Sequence, residues 1–101
     1  MPETKKISAD VFEITLPKRF TFDDSHRFNQ ILTKLPNNDC NVVTINMAET
    51  QFMDSAGLGM LLLARDEAGK MNKSLTLKSP QAYIKKLFHV SRFNELFTIE
   101  E

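Results

Sequence analysis

The sequence predicts an α/β domain in which strands and helices alternate and neighbouring strands pair in parallel. Short runs of alternating or β-branched apolar residues at 7–16, 40–47 and 74–78 are typical of strands. Segments with apolar residues three and four positions apart lie between and after them, as in helices that cover a sheet. The chain of 101 residues is long enough for one such domain, spanning 1–101, and too short for two.

The predicted strands differ in how regular their patterns are. Residues 7–16 alternate loosely and predict one strand, or two short strands with a turn near residues 9–10. Pro17 ends this run because proline cannot donate a hydrogen bond to a neighbouring strand. Residues 40–47, Cys-Asn-Val-Val-Thr-Ile-Asn-Met, predict a strand. Val42, Val43 and Ile45 are β-branched, and the run is apolar enough for a central strand.

The first predicted helix covers residues 23–35. Asp23 or Asp24 can cap its first turn, since a short carboxylate accepts hydrogen bonds from free backbone amides. Residues 36–39, Pro-Asn-Asn-Asp, predict the turn that follows it. The apolar face of this helix consists of Phe28, Ile31, Leu32 and Leu35.

The second predicted helix runs from residue 55 to about residue 72, with Ser55 as its N-cap. Leu58 and Leu62 lie off its core face. They either pack against a neighbouring helix or form a face that docks a partner. The side chains expected to face the core are Met60, Leu61, Ala64, Ala68 and Met71.

The last third of the chain continues the alternation. Residues 74–78 predict a strand, and Pro80 lies near the first turn of a third helix. Ser91 is expected to cap a last short helix, and residues 97–99 predict a terminal strand. Ile84, Leu87 and Phe88 are expected to face inward.

Composition limits the function classes. Lys and Arg number 13, and Asp and Glu also number 13, so the formal net charge is zero and a nucleic-acid partner is not favoured. Cys40 is the only cysteine, which excludes a disulfide within the chain and fits a reducing cytosol. The longest apolar run, residues 59–64, is far shorter than the ~20 residues of a membrane span. We expect a cytoplasmic protein without metal, cofactor or direct membrane insertion.

Residues 52–64, Phe-Met-Asp-Ser-Ala-Gly-Leu-Gly-Met-Leu-Leu-Leu-Ala, resemble the STAS domain family, which includes the bacterial anti-sigma factor antagonists. The most specific mark is Asp-Ser-x-Gly-Leu-Gly after a β-branched strand. The resemblance implies a mixed sheet of four to five strands with about four helices packed mainly on one face. Two features depart from the family pattern. Asn46 stands where an Asp is usual, and residues 17–24 lack the glycine often found before the first helix.

The resemblance implies a phosphorylation-controlled partner switch. The unphosphorylated chain would bind an anti-sigma factor that is also a serine kinase, the kinase would phosphorylate Ser55 and be released, and a phosphatase would reset the cycle. A phosphoserine adds a charge of about −1.5 to −2, which a helix N-terminus accepts and a docked partner does not. Alternatively, the domain is a non-catalytic protein-binding subunit of a lipid-transport or signalling complex. We expect a monomer or weak dimer.

The docking surface implied by the resemblance combines the loop before the first helix with the start of the second. Phe20 and Phe22 could equally be core residues, and Gly57 and Gly59 could equally reflect close packing against the sheet. The residues predicted to bind the partner are Lys18, Arg19, Phe20, Phe22, Met53, Asp54, Ser55, Ala56, Gly57, Leu58, Gly59 and Leu62.

Catalysis is not expected. Residues 53–57, Met-Asp-Ser-Ala-Gly, half-resemble the hydrolase elbow Gly-x-Ser-x-Gly, but methionine stands in place of the first glycine. His89 is the only histidine downstream, and it is expected to be a partly packed helix residue, as His26 is expected to be a surface one. Residues 57–59 and 68–70 contain glycine but complete no nucleotide-binding pattern.

Overall fold

The backbone is organised around a mixed sheet of five strands. The structure, a computed structural model, describes residues 1–35 and 39–101. In spatial order the strands are β1 (Glu3–Lys6), β2 (Val11–Thr15), β4 (Val42–Asn46), β6 (Ser74–Lys78) and β7 (Thr98–Glu100). β1 is antiparallel to β2, and the other neighbouring pairs are parallel. Two further strands, β3 (Arg19–Phe20) and β5 (Phe52–Met53), form a separate parallel pair.

Helices follow the strands as the α/β prediction requires, and that fold class is confirmed. A short 3₁₀ turn over Phe22–Asp24 precedes the first helix. The α-helices are α1 (Ser25–Thr33), α2 (Ser55–Lys70), α3 (Ala82–Val90) and α4 (Phe93–Leu96).

One face of the sheet carries the core. Ile14, Ile45 and Leu77 are in register on three adjacent strands, and all three are fully buried. Their neighbours along each strand point to the opposite face, because side chains alternate along a β-strand. The same cluster contains buried side chains from the helices, so the helices pack on this face. These helical residues are Phe28, Ile31, Leu32, Met60, Leu61, Ala64, Ile84, Phe88 and Phe93.

The predicted core face of α2 is confirmed. Leu61, Ala64 and Ala68 are at most 1% exposed and Met60 is 6% exposed. Met71, just beyond the helix, is partly buried against the core. Spacings of three and four residues bring these side chains to one side of the helix, which faces the sheet.

Several element boundaries differ from the predictions. The turn near residues 9–10 is confirmed, but the strand before it lies earlier, at β1, where all four residues are exposed and give no apolar pattern. α1 begins at Ser25, after the 3₁₀ turn, rather than at residue 23. The predicted turn at 36–39 falls mainly outside the described residues.

The expected capping role of Ser91 is wrong. Its hydroxyl donates to the carbonyl of Leu87 at 2.7 Å, so the side chain belongs to the end of α3. The residue before α4 is Arg92, whose φ of 63° lies in the left-handed region and turns the chain. A serine hydroxyl can accept or donate a hydrogen bond. A serine between two helices can therefore cap the second helix or donate to a carbonyl at the end of the first.

Candidate functional site

The site lies where β5 leads into α2. Arg19 and Phe20 of β3 pair in register with Phe52 and Met53 of β5, and α2 starts two residues after β5 ends. This small sheet brings the loop before α1 next to the first turn of α2. The sequence prediction that these two segments form one surface therefore has a structural basis.

Asp54, rather than Ser55, caps α2. Its backbone is extended, with φ −94° and ψ −177°, and its Oδ1 accepts the backbone N–H of Gly57 at 2.8 Å. Ser55 is the first residue of the helix, and the prediction that it is the N-cap is wrong by one position. Serine and aspartate are comparably good caps, so the sequence Asp-Ser could not distinguish them.

Ser55 is exposed and its side chain is not engaged. Among the residues that the structure describes, no hydrogen bond or ion pair involves its hydroxyl. The hydroxyl is therefore at the surface, and it does not cap α2. Its modification would leave the Asp54 cap of α2 in place.

The second oxygen of Asp54 reaches the loop before α1. Oδ2 accepts the backbone N–H of Phe22 at 3.3 Å. One carboxylate therefore holds the first turn of α2 and the exposed turn beside it. Both contacts would be lost together if Asp54 were replaced by alanine.

The loop over residues 17–24 is ordered without glycine. The carbonyl of Lys18 accepts the N–H groups of Gln51 and Phe52, at 2.8 and 3.1 Å. Thr21 and Asp24 then form a capping box, in which the Thr21 amide donates to Asp24 at 3.0 Å. These hydrogen bonds hold the loop in a conformation that does not require a glycine.

The two phenylalanines of this loop point to opposite sides. Phe20 is fully buried, 5.2 Å from Phe28 in an edge-to-face arrangement, whereas Phe22 is 71% exposed. The core interpretation is therefore right for Phe20 and wrong for Phe22. Next to them, the guanidinium of Arg19 lies 4.5 Å from the ring centre of Phe52, a cation–π contact at the surface.

The two glycines of the motif also differ. A Cβ on Gly57 would lie 2.5 Å from Met53 Cγ and 2.6 Å from the Phe20 carbonyl oxygen, so close packing explains this glycine. Among the described residues, a Cβ placed on Gly59 would meet nothing within 4 Å. Close packing within the chain therefore does not explain Gly59, which lies on the exposed side of α2.

An apolar strip continues from Gly59 along the exposed side of α2. Leu62 is 37% exposed, whereas Leu58 is partly buried against the core. Leu63, 40% exposed, lies four residues after Gly59 and belongs to the same side. Leu63 was not among the predicted docking residues, although its position outside the core spacing of the helix indicates an exposed side chain.

Three of the predicted docking residues lie beneath the surface rather than on it. Phe20 is fully buried, Met53 is 2% exposed, and Gly57 is buried against both. Alternation along a short strand and the close approach of α2 to β3 put them there. The side chains of Phe20 and Met53 therefore support the first turn of α2 from below.

The contacts of Asn46 explain why an asparagine suits this position, where the family usually has an aspartate. Its Oδ1 accepts the Ala48 amide at 3.0 Å, and its Nδ2 donates to Oε2 of the buried Glu13 at 3.4 Å. Thr44 and Lys78 also contact Glu13, at 3.3 and 3.6 Å. An aspartate at position 46 would keep the first bond but place a second carboxylate against Glu13.

In the described residues, no histidine is hydrogen-bonded to the Ser55 hydroxyl. His26 and His89 are both exposed on helices, so the expected partial packing of His89 is wrong. Among the described residues no group of His, Cys, Asp or Glu is arranged to hold a metal ion. Recesses of about 380 and 180 Å³ lie near Arg65 and Leu63, and Ser55 lines neither of them.

Within the described part of the chain, none of the helices has the length and apolar character needed to cross a membrane.

The fold and the site together define an α/β domain with a five-stranded mixed sheet, helices packed on its core face and an exposed serine where α2 begins. Residues 4–99 match the family described as "Mlab, STAS domain". A STAS-domain containing protein of Pseudomonas aeruginosa (strain UCBPP-PA14), PA14_20770, is 32% identical over 94 residues, which cover 91% of this chain and 92% of that protein. The chain therefore belongs to the STAS domain family, and the resemblance found in its sequence is confirmed.

Solved structures show the same fold. The anti-sigma factor antagonist SpoIIAA in its unphosphorylated form matches with a TM-score of 0.77 and 17% identity, over 100% of this chain and 87% of that one. The Bacillus cell fate determinant SpoIIAA in its phosphorylated form matches with a TM-score of 0.71 and 19% identity, over 98% of this chain and 90% of that one. An anti-sigma factor antagonist from Mycobacterium paratuberculosis matches with a TM-score of 0.83 and 12% identity, over 99% of this chain and 84% of that one. At these identities the likeness concerns the fold.

Proposed function

We propose that this chain is an anti-sigma factor antagonist controlled by phosphorylation of Ser55. In the proposed cycle the unphosphorylated chain binds an anti-sigma factor that is also a serine kinase. Transfer of a phosphoryl group from ATP to the Ser55 hydroxyl releases the partner, and a phosphatase restores the serine. The chain itself is a cytoplasmic, non-catalytic binding domain in this cycle.

The observation that carries the proposal is the position of Ser55. It is exposed, it starts α2, and its hydroxyl is not used by the fold in the described residues. The positive end of the helix dipole can receive a phosphate there, so the folded domain can tolerate the modification. A partner docked over the same turn is not compatible with the phosphate, because the complex would bury about two negative charges.

The proposed docking surface surrounds that serine. On one side lie Phe22, 71% exposed, and Arg19 stacked on Phe52. On the other side α2 presents Gly59, where a partner backbone can approach closely, and two leucines. Exposed aromatic and Arg side chains are the types that contribute most to protein interfaces. Of the residues of this surface, Lys18, Arg19, Phe22, Ser55, Gly59, Leu62 and Leu63 are exposed, and Phe52, Asp54, Ala56 and Leu58 are partly exposed.

The test is to purify the proteins that bind the immobilised chain and to incubate each with the chain and Mg-ATP. Mass spectrometry then locates the phosphate. We expect it on Ser55, with loss of the complex, and no phosphate on Ser55→Ala. Ser25 is the matched control, because it also begins a helix and is partly exposed. Phosphate on Ser25, or on any residue other than Ser55, would contradict the proposal.

A second candidate function keeps the surface and changes the partner. The exposed Leu62 and Leu63 extend the apolar surface more than a helical turn beyond Ser55, which also suits permanent docking in a lipid-transport or signalling assembly. In that case the partner would co-purify stably in the presence of ATP. The binding of a Ser55→Asp variant would then equal that of the unmodified chain.

A further inference from the structure

Asp54 connects two segments of the proposed docking surface that are 32 residues apart in sequence. Its Oδ1 accepts the Gly57 amide at 2.8 Å and its Oδ2 accepts the Phe22 amide at 3.3 Å. We infer that Asp54 is a positioning residue that holds the Phe22 turn in place while Ser55 is unmodified and releases it when Ser55 is phosphorylated. This inference rests on the proposed function and adds a second effect of the phosphate, on the shape of the surface.

The backbone bond to Asp54 matters for the position of Phe22 because the core does not hold its side chain. The ring is 71% exposed, so packing against the core does not orient it. Its neighbour Thr21 is held separately, by the bond from its amide to Asp24 at 3.0 Å. Among the hydrogen bonds of the described residues, the one from the Phe22 amide to Asp54 links this turn directly to the N-cap of α2. Its loss would free the Phe22 amide, while β3 and α1 still hold the two ends of the turn.

A phosphate on Ser55 would act directly on Asp54, its neighbour in sequence. The phosphate brings about two negative charges and three strong acceptor oxygens to the first turn of α2. It repels the adjacent carboxylate and competes with it for the positive end of the helix. Of the two Asp54 bonds, the longer one to Phe22 is on the exposed side, so it is the one expected to break.

The two roles of Asp54 can be separated by substitution. Asp54→Ser retains an N-cap oxygen for the Gly57 amide but has no second oxygen to reach Phe22. Such a variant should fold and should lose only the connection to the turn. Asp23→Ala is the matched control, because Asp23 is an exposed carboxylate of the same turn that accepts no hydrogen bond in the described structure.

The experiment compares ¹⁵N-labelled full-length chains with serine or genetically encoded phosphoserine at position 55, with no partner present. Amide hydrogen exchange of Phe22 and Gly57 is measured by NMR. We expect phosphorylation to accelerate exchange at Phe22 about fivefold, the factor for loss of one ordinary hydrogen bond, and to leave Gly57 protected. Unmodified Asp54→Ser should show the same acceleration, phosphoserine should add nothing to it, and Asp23→Ala should match the wild type.

Equal exchange at Phe22 in the serine and phosphoserine chains would overturn the inference. If the phosphate still abolished partner binding, the proposed function would stand and the phosphate would act by bulk and charge alone. The converse result, release of Phe22 without any change in partner affinity, would support the role of Asp54 and contradict the proposed function.

Discussion

The Cβ position of Gly57 lies 2.6 Å from the carbonyl oxygen of Phe20, so only hydrogen fits between α2 and β3 at this point. A backbone atom cannot move aside as the end of a flexible side chain can. Gly57→Ala should therefore separate α2 from β3 and lower the free energy of unfolding by about 1–3 kcal/mol, as overpacking does. Thermal unfolding measures this. An unchanged melting temperature would show that the contact relaxes without cost.

Gly59 should respond in the opposite way. Apart from its neighbours in the helix, no atom of residues 1–35 and 39–101 lies within 4 Å of its Cβ position, so Gly59→Ala gains helix propensity and should raise stability by up to about 1 kcal/mol. The same methyl group should obstruct a partner and weaken binding about tenfold. Gly69→Ala is the matched control in the same helix, with the same open surroundings. It should also stabilise α2 but leave partner affinity unchanged; equal affinity for both variants would remove Gly59 from the docking surface.

Arg19 and Lys18 are neighbouring cations with different contacts. Arg19 stacks on Phe52, whereas Lys18 accepts hydrogen bonds through its backbone carbonyl. Lys18→Glu should leave the melting temperature unchanged, and Arg19→Glu should cost about 0.5–1 kcal/mol, the value of an exposed cation–π contact. Both should weaken partner binding, measured by titration calorimetry. If both variants bound the partner as tightly as the wild type, Lys18 and Arg19 would not belong to the docking surface.

Asn46→Asp should be destabilising because of Glu13. The substitution removes a donor to the buried Glu13 carboxylate and adds a second negative charge beside it. Loss of a hydrogen bond to a charged group costs about 1.5–3 kcal/mol. The double variant Glu13→Gln/Asn46→Asp removes the like-charge pair and should recover part of the loss, as a double-mutant cycle can measure. Additive effects of the two substitutions would show that the pair is not coupled.

The sequence predicted the elements with regular apolar spacing. The core face of α2 and the central strand β4 follow from Leu61, Ala64 and Val43, because burial imposes a period of 3.6 or 2 on the apolar residues. β1 was missed because Glu3–Lys6 is an exposed edge strand, in which no face is apolar. The two-residue strands β3 and β5 are too short to show any period.

The finer geometry of the site could not be read from the sequence. Asp54 and Ser55 are equivalent as caps by residue type, and only the backbone conformation of Asp54 distinguishes them. Phe20 and Phe22 are chemically identical, and which one is buried depends on the pairing of β3 with β5. Leu63 was absent from the predicted surface because its exposure depends on how α2 lies against α1.

The central claim is that a phosphate on Ser55 removes the partner without unfolding the domain. The most direct measurement is the affinity of the purified partner for the full chain with serine and with phosphoserine at position 55, alongside the melting temperature of each. We predict at least about a hundredfold weaker binding of the phosphoserine chain, or about 2.7 kcal/mol, at nearly equal melting temperatures. Equal affinity of the two chains would contradict the account.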